Sequence, residues 1–237
     1  MLNKLSKKFA QQTPSLKTIN YKLITPLLAS LLLLSACSQT PQNSENSSTP
    51  STPTDMTKNT HQATIESQLD TPKKGDTIAV LETDFGTIKI KLFMNGVPEL
   101  SKNFSEITKA GKYDSVPFHR VVKDFMIQGG DFTAKNGTGG YSYKGEETFL
   151  ANEINPAYKH LYGTVSMAKS PAPVSIGSQF FIVTAKNGTP FLDGSYSPIG
   201  QVFEGMDVAE KIVNLQIPGT EKPSKTVKIK KATIETY

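Results

Sequence analysis

The chain has 237 residues, of which 37% are apolar, with one cysteine and no tryptophan; this is enough apolar material for one globular core. A single cysteine excludes a disulfide-stapled scaffold. The formal charge of +5 comes from five lysines that precede residue 37, and the remainder holds 21 basic and 21 acidic residues. Without that N-terminal segment the basic surface typical of nucleic-acid binding is missing, so no nucleic-acid partner is expected.

The first 36 residues have the pattern of an export signal. Lysines are followed by an apolar run at residues 27–34 and then by the small residues Ser35 and Ala36. This run is shorter than the roughly 20 residues that a membrane-spanning helix needs, and it fits the apolar part of a signal peptide. We therefore expect residues 1–36 to be a signal peptide and the mature protein to be extracytoplasmic.

The only cysteine, Cys37, directly follows this segment. Residues 34–37, Leu-Ser-Ala-Cys, resemble a bacterial lipobox, in which the cysteine is acylated and becomes the first residue of the mature chain. Two acyl chains anchor a protein stably where one is marginal, because each buried methylene contributes about 0.8 kcal/mol. The resemblance implies a lipoprotein held at the cell membrane through Cys37. The alternative is an ordinary cleaved signal followed by a free thiol.

Residues 37–74 consist mostly of Ser, Thr, Pro, Asn and Gln. Such a segment buries too little apolar surface to offset the entropy lost on ordering. It is predicted to be a disordered tether with a root-mean-square span of roughly 35 Å, which would lift a folded domain off a membrane.

The remaining residues, 75–237, have the patterns of a mainly β domain with two helices. Pro98 is expected to start a helix in which Leu100, Phe104 and Ile107 share one face and Gly111 ends it. A second helix is predicted around 206–214. Strands are predicted at 78–81, 87–92, 118–122, 125–128, 164–167, 180–184, 199–203 and from 227 to the C-terminus. Many short strands favour a barrel, which leaves few exposed edges.

Several ordered motifs in this domain resemble the cyclophilins, a family of peptidyl-prolyl cis-trans isomerases. They are VPFHRVV at 116–122, FMIQGGDF at 125–132, GTGG at 137–140, GTVSMA at 163–168, GSQFFIVT at 177–184 and FLDG at 191–194. The resemblance covers about residues 77–237. It implies an eight-stranded antiparallel β-barrel capped by two α-helices.

The chemistry of prolyl isomerisation suits these residue types. The amide bond has a rotation barrier of ~18 to 20 kcal/mol, and no bond breaks and no proton must move. Catalysis favours a twisted amide whose prolyl nitrogen accepts a hydrogen bond, and a permanently charged guanidinium can donate it. Millisecond turnover needs about 10⁵-fold acceleration, or roughly 7 kcal/mol. Arg120 is the candidate catalytic donor.

The resemblance also implies a set of substrate-binding residues. Apolar members would form the proline pocket, Gln128 would bond the peptide or support Arg120, and Ala168 with the main chain of Lys169 would align the peptide as an added strand. The full set is Phe125, Met126, Gln128, Ala168, Lys169, Gln179, Phe181, Phe191, Leu192 and Tyr196. Adjacent residues of a regular strand face opposite sides, so Phe125 and Met126 share one pocket only if the strand starts irregularly.

Three of these positions depart from the best-known eukaryotic members. Phe191 stands where those carry Trp, Tyr196 where they carry His, and Lys169 where they carry Asn. The loss of the indole donor implies weaker cyclosporin binding, while Phe191 still supplies an apolar wall. A longer loop at residues 169–177 is similar to bacterial members.

The predicted function is prolyl isomerisation that assists the folding of exported proteins at the outer face of the membrane. Its partners would be X-Pro segments of exported polypeptides, and Cys37 would attach it to the membrane. We expect a monomer that needs no metal and no cofactor. His119 faces away from Arg120 in a regular strand, and His160 has no ligand cluster near it in the sequence. The alternative is a cyclophilin-fold binding protein or holdase that grips proline segments with little turnover.

Overall fold

The computed structural model describes residues 68–237, in which a curled antiparallel sheet and two helices enclose an apolar core. The predicted signal peptide, Cys37 and the tether as far as residue 67 lie outside the described residues. The strands are β1 (Thr77–Thr83), β2 (Gly86–Leu92), β3 (Val116–Pro117), β4 (Arg120–Val122), β5 (Met126–Gly129), β6 (Leu150–Ala151), β7 (Thr164–Met167), β8 (Val174–Ile176), β9 (Phe180–Val183), β10 (Pro198–Glu204) and β11 (Lys228–Thr236). The helices are α1 (Pro98–Lys109) and α2 (Met206–Val213). The predicted mainly β class with two helices is confirmed.

The main sheet has nine strands in the order β3-β11-β1-β2-β10-β7-β9-β5-β4. Of the strand predicted at 118–122, only Arg120–Val122 is a strand, β4, and β3 precedes it. β3 pairs with β11, β4 pairs with β5, and only Phe118 and His119 separate the two, so the extended segment 116–122 is interrupted. This interrupted strand therefore brings the two ends of the sheet together. Counted as one strand, β3 and β4 give the predicted eight, which is why the observed count differs by one.

A second sheet of two short strands, β6 and β8, was not predicted. Each strand has only two or three residues, and Val174 is exposed, so no alternating pattern marks them in the sequence. This small sheet lies within the long loops on either side of β7.

Helix α1 begins at Pro98. The missing backbone N–H of proline costs no hydrogen bond there, because the N–H groups of the first turn have no intrahelical acceptor. Leu100, Phe104 and Ile107 are fully buried, as their spacing predicts. The ring of Phe104 packs edge-on against Phe180 with 5.1 Å between centroids. The helix ends at Lys109, and Gly111 follows with a φ of +66°, a left-handed conformation that stops helices.

The packed part of the chain includes residues that the tether prediction assigned to disorder. Gln68 is fully buried, and its Nε2 donates to the Lys159 carbonyl at 2.8 Å and to Gln201 Oε1 at 3.2 Å. Its Oε1 accepts the Lys159 N–H at 3.0 Å. Gln68 is therefore held against residues far along the chain by the satisfied hydrogen bonds of a polar side chain, and Pro72 in the same segment is also buried. Within residues 68–237, no helix is long and apolar enough to cross a membrane.

Candidate active site

A small cavity of about 120 Å³ opens between β5, β9 and the loop that follows β9; we call it the slot. Met126, Phe181 and Leu192 form its buried apolar floor. Phe125 and Tyr196 are half-buried at its sides. The complete lining is Arg120, Phe125, Met126, Gln128, Ala168, Lys169, Phe181, Leu192 and Tyr196. The structure therefore brings eight of the ten predicted substrate-binding residues together with Arg120.

Phe125 and Met126 both line the slot because β5 begins at Met126, and Phe125 lies in the preceding turn. Asp124 in that turn has a φ of +57°. The Phe125 carbonyl accepts hydrogen bonds from the N–H groups of Thr184 and Ala185 instead of a regular ladder partner. This is the irregular strand start that the shared pocket requires.

The other two predicted residues lie beside the slot. Phe191 is 70% exposed on the short 3₁₀ turn Pro190–Leu192, and its ring centroid is 5.7 Å from that of Phe125. Gln179 lines a larger neighbouring cavity of about 430 Å³, which we call the hollow. Both therefore belong to the surroundings of the slot and not to its lining.

The guanidinium of Arg120 is held by two side chains. Its Nε and Nη2 donate to the two carboxylate oxygens of Glu221 at 2.7 and 3.0 Å, and its Nη1 donates to Gln128 Oε1 at 3.2 Å. A two-point contact of this kind fixes the plane of the guanidinium as well as its position. The guanidinium carbon also lies 5.9 Å from the centroid of the Phe125 ring.

Glu221 was not predicted from the sequence. It is 101 residues from Arg120, in the loop between α2 and β11, and its own carbonyl accepts the Val121 N–H at 2.8 Å, which secures the loop to β4. Hydrogen bonds from Arg120 lower the pKa of the Glu221 carboxyl below its usual value. Because the pairing is long-range and a single acid in a loop carries no pattern, only the fold reveals it.

Behind Gln128, a hydrogen-bonded chain leads to the loop at residues 131–140. Gln128 Nε2 donates to Gln179 Oε1 at 3.0 Å, and Gln179 Nε2 donates to the carbonyls of Gly137 and Gly139 at 2.9 and 2.8 Å. Each amide in this chain is therefore oriented by the next. The loop carbonyls determine which face of Gln128 meets Arg120.

The loop itself is organised by Asp131, another residue that the sequence analysis did not select. The side chain is fully buried and accepts backbone N–H groups from residues 133, 134, 136, 137 and 139. Burial by itself raises the pKa of this carboxyl, but the N–H donors outweigh it and lower the pKa to about 2. An aspartate before a glycine-rich loop is a signal that could have identified it.

His160 lies behind the floor of the slot. Its ring is stacked on Phe181 with 6.1 Å between centroids, Nδ1 is 2.9 Å from Asp193 Oδ1, and Nε2 is 3.1 Å from Ser166 Oγ. Burial lowers the pKa of His160. Ser166 is fully buried, so this Ser-His-Asp arrangement has no access to a substrate and supports the slot. Within residues 68–237, no group of three or more potential ligands is placed to hold a metal ion.

Comparison with known proteins agrees with this geometry. The family model described as cyclophilin type peptidyl-prolyl cis-trans isomerase/CLD matches residues 78–234. The chain belongs to this family. The cyclophilin family predicted from the motifs is therefore confirmed.

Curated relatives and solved structures extend the match. A peptidyl-prolyl cis-trans isomerase-like 1 protein of Neurospora crassa is 42% identical over 159 residues, covering 67% of this chain and 94% of the relative. A putative peptidyl-prolyl cis-trans isomerase of Staphylococcus aureus is 36% identical, covering 69% and 94%. A crystal structure of a Cryptosporidium parvum cyclophilin has a TM-score of 0.63 at 32% identity, covering 68% of this chain and 99% of that one. The protein is a cyclophilin-type prolyl isomerase.

The pairing of Glu221 with Arg120 gives a first testable prediction for this cyclophilin. Glu221→Ala should lower kcat for an Ala-Pro peptide about threefold and change KM less, because the freed guanidinium must be ordered during the reaction. The Nε–H signal of Arg120 in NMR spectra should broaden or disappear, a change that a purely structural role of the loop would not produce.

Lys222→Ala is the matched control, since Lys222 lies in the same loop and its backbone hydrogen bonds join it to Ile217 and Thr220. Glu221→Asp, which keeps the carboxylate, should recover part of kcat. Equal kcat values for the wild type and Glu221→Ala would show that Glu221 does not position Arg120.

Proposed function

We propose that Arg120 is the catalytic donor of this isomerase and that the slot holds the prolyl ring. The observation that carries the proposal is a guanidinium, fixed by Glu221 and Gln128, at the edge of an apolar slot. As the amide twists, the prolyl nitrogen becomes pyramidal and accepts a hydrogen bond. A donor already held in place stabilises that state without reorganisation, which contributes to the roughly 7 kcal/mol needed.

The peptide chain would run along the edge formed by Ala168 and Lys169. The Ala168 N–H already donates to the Gln179 carbonyl at 2.9 Å, which leaves the Ala168 carbonyl to pair with a substrate. The main chain of Lys169 makes no hydrogen bond among residues 68–237 and is therefore free to pair with an added strand. Gln128, Ala168 and Lys169 line both the slot and the hollow, so the residues next to the proline would enter the hollow.

X-Pro segments are the proposed substrates. One Cryptosporidium parvum cyclophilin structure, with a TM-score of 0.62 to this chain, was determined in the presence of the dipeptide Ala-Pro. The apolar floor and single guanidinium of the slot here suit the same kind of ligand. An NMR exchange measurement on an Ala-Pro peptide tests this, and equal exchange with and without the protein would contradict it.

We further propose that the enzyme acts on exported polypeptides while anchored by lipid at the outer face of the cell membrane. Support comes from the signal-like residues 1–36 and from Cys37 at the lipobox position. Isomerisation of the amide consumes no ATP, which suits an extracytoplasmic site. The polar segment after Cys37 would give the isomerase domain reach toward its clients.

Replacing Cys37 tests the anchor. When the full chain is expressed in a bacterium with labelled palmitate, the wild type should take up label and sediment with membranes. Cys37→Ala should lose both properties, because the side chain that carries the lipid is gone. Arg120→Ala is the control and should behave as the wild type in both respects. Equal membrane fractions for the wild type and Cys37→Ala would rule out the lipid anchor.

A further inference from the structure

The slot and the hollow together form what we call the substrate groove, and Lys169 is its unpaired positive charge. Neither the lining of the slot nor that of the hollow contains a carboxylate, and the charged members of the two linings are Arg120 and Lys169. Arg120 is already paired with Glu221. Lys169 has no acidic partner among residues 68–237. The groove therefore carries one cation whose charge is not compensated.

The Lys169 side chain is half-buried and lies at the side of the slot. Its Nζ lies 4.9 Å from the centroid of the Tyr196 ring, a cation-π distance. Tyr196 in turn packs edge-on against Phe181 in the floor, with 6.0 Å between centroids. The tyrosine thus holds the ammonium group at the side of the slot, where Lys169 lines both cavities.

The free main chain of the same residue offers the pairing edge for a peptide. A peptide that pairs there with its proline in the slot must place its preceding residues beside the ammonium group. We propose that Lys169 is a specificity-determining residue, which makes this isomerase prefer segments with Asp or Glu at one of the two positions before the proline. This inference rests on the proposed function of the slot.

The expected effect is modest because the groove is open to solvent. A half-exposed ion pair contributes a few tenths to about 1 kcal/mol, which corresponds to about a threefold preference in kcat/KM. Salt weakens such pairs, so the preference should shrink as ionic strength rises from about 0.01 M to 1 M. A preference based on shape would not change with salt in this way.

Peptides that differ only by Glu or Gln at one position test this, since the two side chains have nearly the same shape. Their isomerisation would be measured by NMR exchange, which needs no coupling protease. In wild type we expect kcat/KM for the Glu peptide to exceed that for the Gln peptide about threefold. Lys169→Met should bring this ratio close to one, Lys169→Arg should keep it and Lys169→Glu should invert it.

Lys74→Met is the matched control for net charge, because Lys74 is exposed and lines neither cavity; its ratio should equal that of the wild type. The preference is overturned if the wild type gives a ratio of one at both positions, or if Lys169→Met keeps the wild-type ratio. In either case the Gln peptide would still be isomerised, so the proposed function of the slot would stand. Absence of turnover on every peptide would instead overturn the proposed substrate class, and the preference with it.

Discussion

Arg120→Ala is expected to lower kcat/KM for an Ala-Pro peptide by at least roughly tenfold while the fold persists. The change removes the only guanidinium in the slot lining, and with it the proposed charge-assisted hydrogen bond to the prolyl nitrogen. A loss of about 1.4 kcal/mol of transition-state stabilisation corresponds to tenfold. The side chain is half-buried and its ion pair with Glu221 is solvent-exposed, so the stability should change little. NMR exchange gives the rate, and near-ultraviolet circular dichroism reports the fold.

Arg120→Lys separates charge from geometry. Lysine keeps the positive charge but lacks the fork that contacts Glu221 and Gln128 together, so an activity between those of the wild type and Arg120→Ala is expected. Wild-type turnover in Arg120→Ala would refute the catalytic role. If Arg120→Ala also rescued the folding of exported proteins fully, the alternative of a proline-segment holdase would gain support.

Asp131→Asn is expected to lower the free energy of unfolding by about 3 kcal/mol at pH 7. The substitution replaces one of two acceptor oxygens with an NH₂ group that faces the N–H donors of the 131–140 loop. Urea denaturation of the purified protein would measure the loss. The isomerase rate should also fall, because the loop carbonyls orient Gln179 and, through it, Gln128.

The same carboxylate predicts how stability depends on pH. Its pKa is about 2 in the folded protein and near 3.8 when unfolded, so the unfolded state binds the proton more readily between these values. The stability that Asp131 contributes is therefore complete above the unfolded pKa and disappears as pH falls toward 2. A shift of this size corresponds to about 2 kcal/mol.

The decrease in the free energy of unfolding at acid pH should be smaller in Asp131→Asn, because this variant has no carboxyl to protonate at position 131. Glu82→Gln removes one charge at an exposed position of β1 and is the control; its stability at pH 7 should stay within about 0.5 kcal/mol of the wild type. An unchanged acid profile in Asp131→Asn would show that other groups dominate acid unfolding.

Local patterns predicted the regular elements of the domain well. The strand expected at 164–167 is β7 with the same ends, and the helix expected from Pro98 is α1. The apolar residues of α1 recur with the helical period, whereas all four residues of β7 are buried in one short run. Both patterns depend only on residues close in the chain. The strand expected at 118–122 was right only for Arg120–Val122, because Phe118 and His119 separate β3 from β4, which pair with different ends of the sheet.

The residues of the candidate site also fall into those that the sequence indicated and those that only the structure revealed. Motifs around residues 120–128, 177–184 and 191–194, which resemble those of the cyclophilins, indicated Arg120, Gln128 and the apolar floor. Most of these residues lie on neighbouring strands, and Leu192 lies on a 3₁₀ turn beside them. Glu221 was missed, because any acid in any loop could have met Arg120. The hydrogen bonds of Gln68 could not be predicted for the same reason, since its partners Lys159 and Gln201 are far away in the chain.

Periodicity was sufficient for a mainly β class with two helices, and the ordered motifs, through their resemblance to the cyclophilins, indicated the family and the side chains that meet at the slot. These features are local or retain their order along the chain, so they can be read without coordinates. Only the tertiary structure decided what holds those side chains in place: Glu221 and Gln128 on Arg120, Asp131 beneath the loop, and Tyr196 beside Lys169. A polar group accepts many alternative partners at similar free energy, and the fold selects among them by bringing distant segments together.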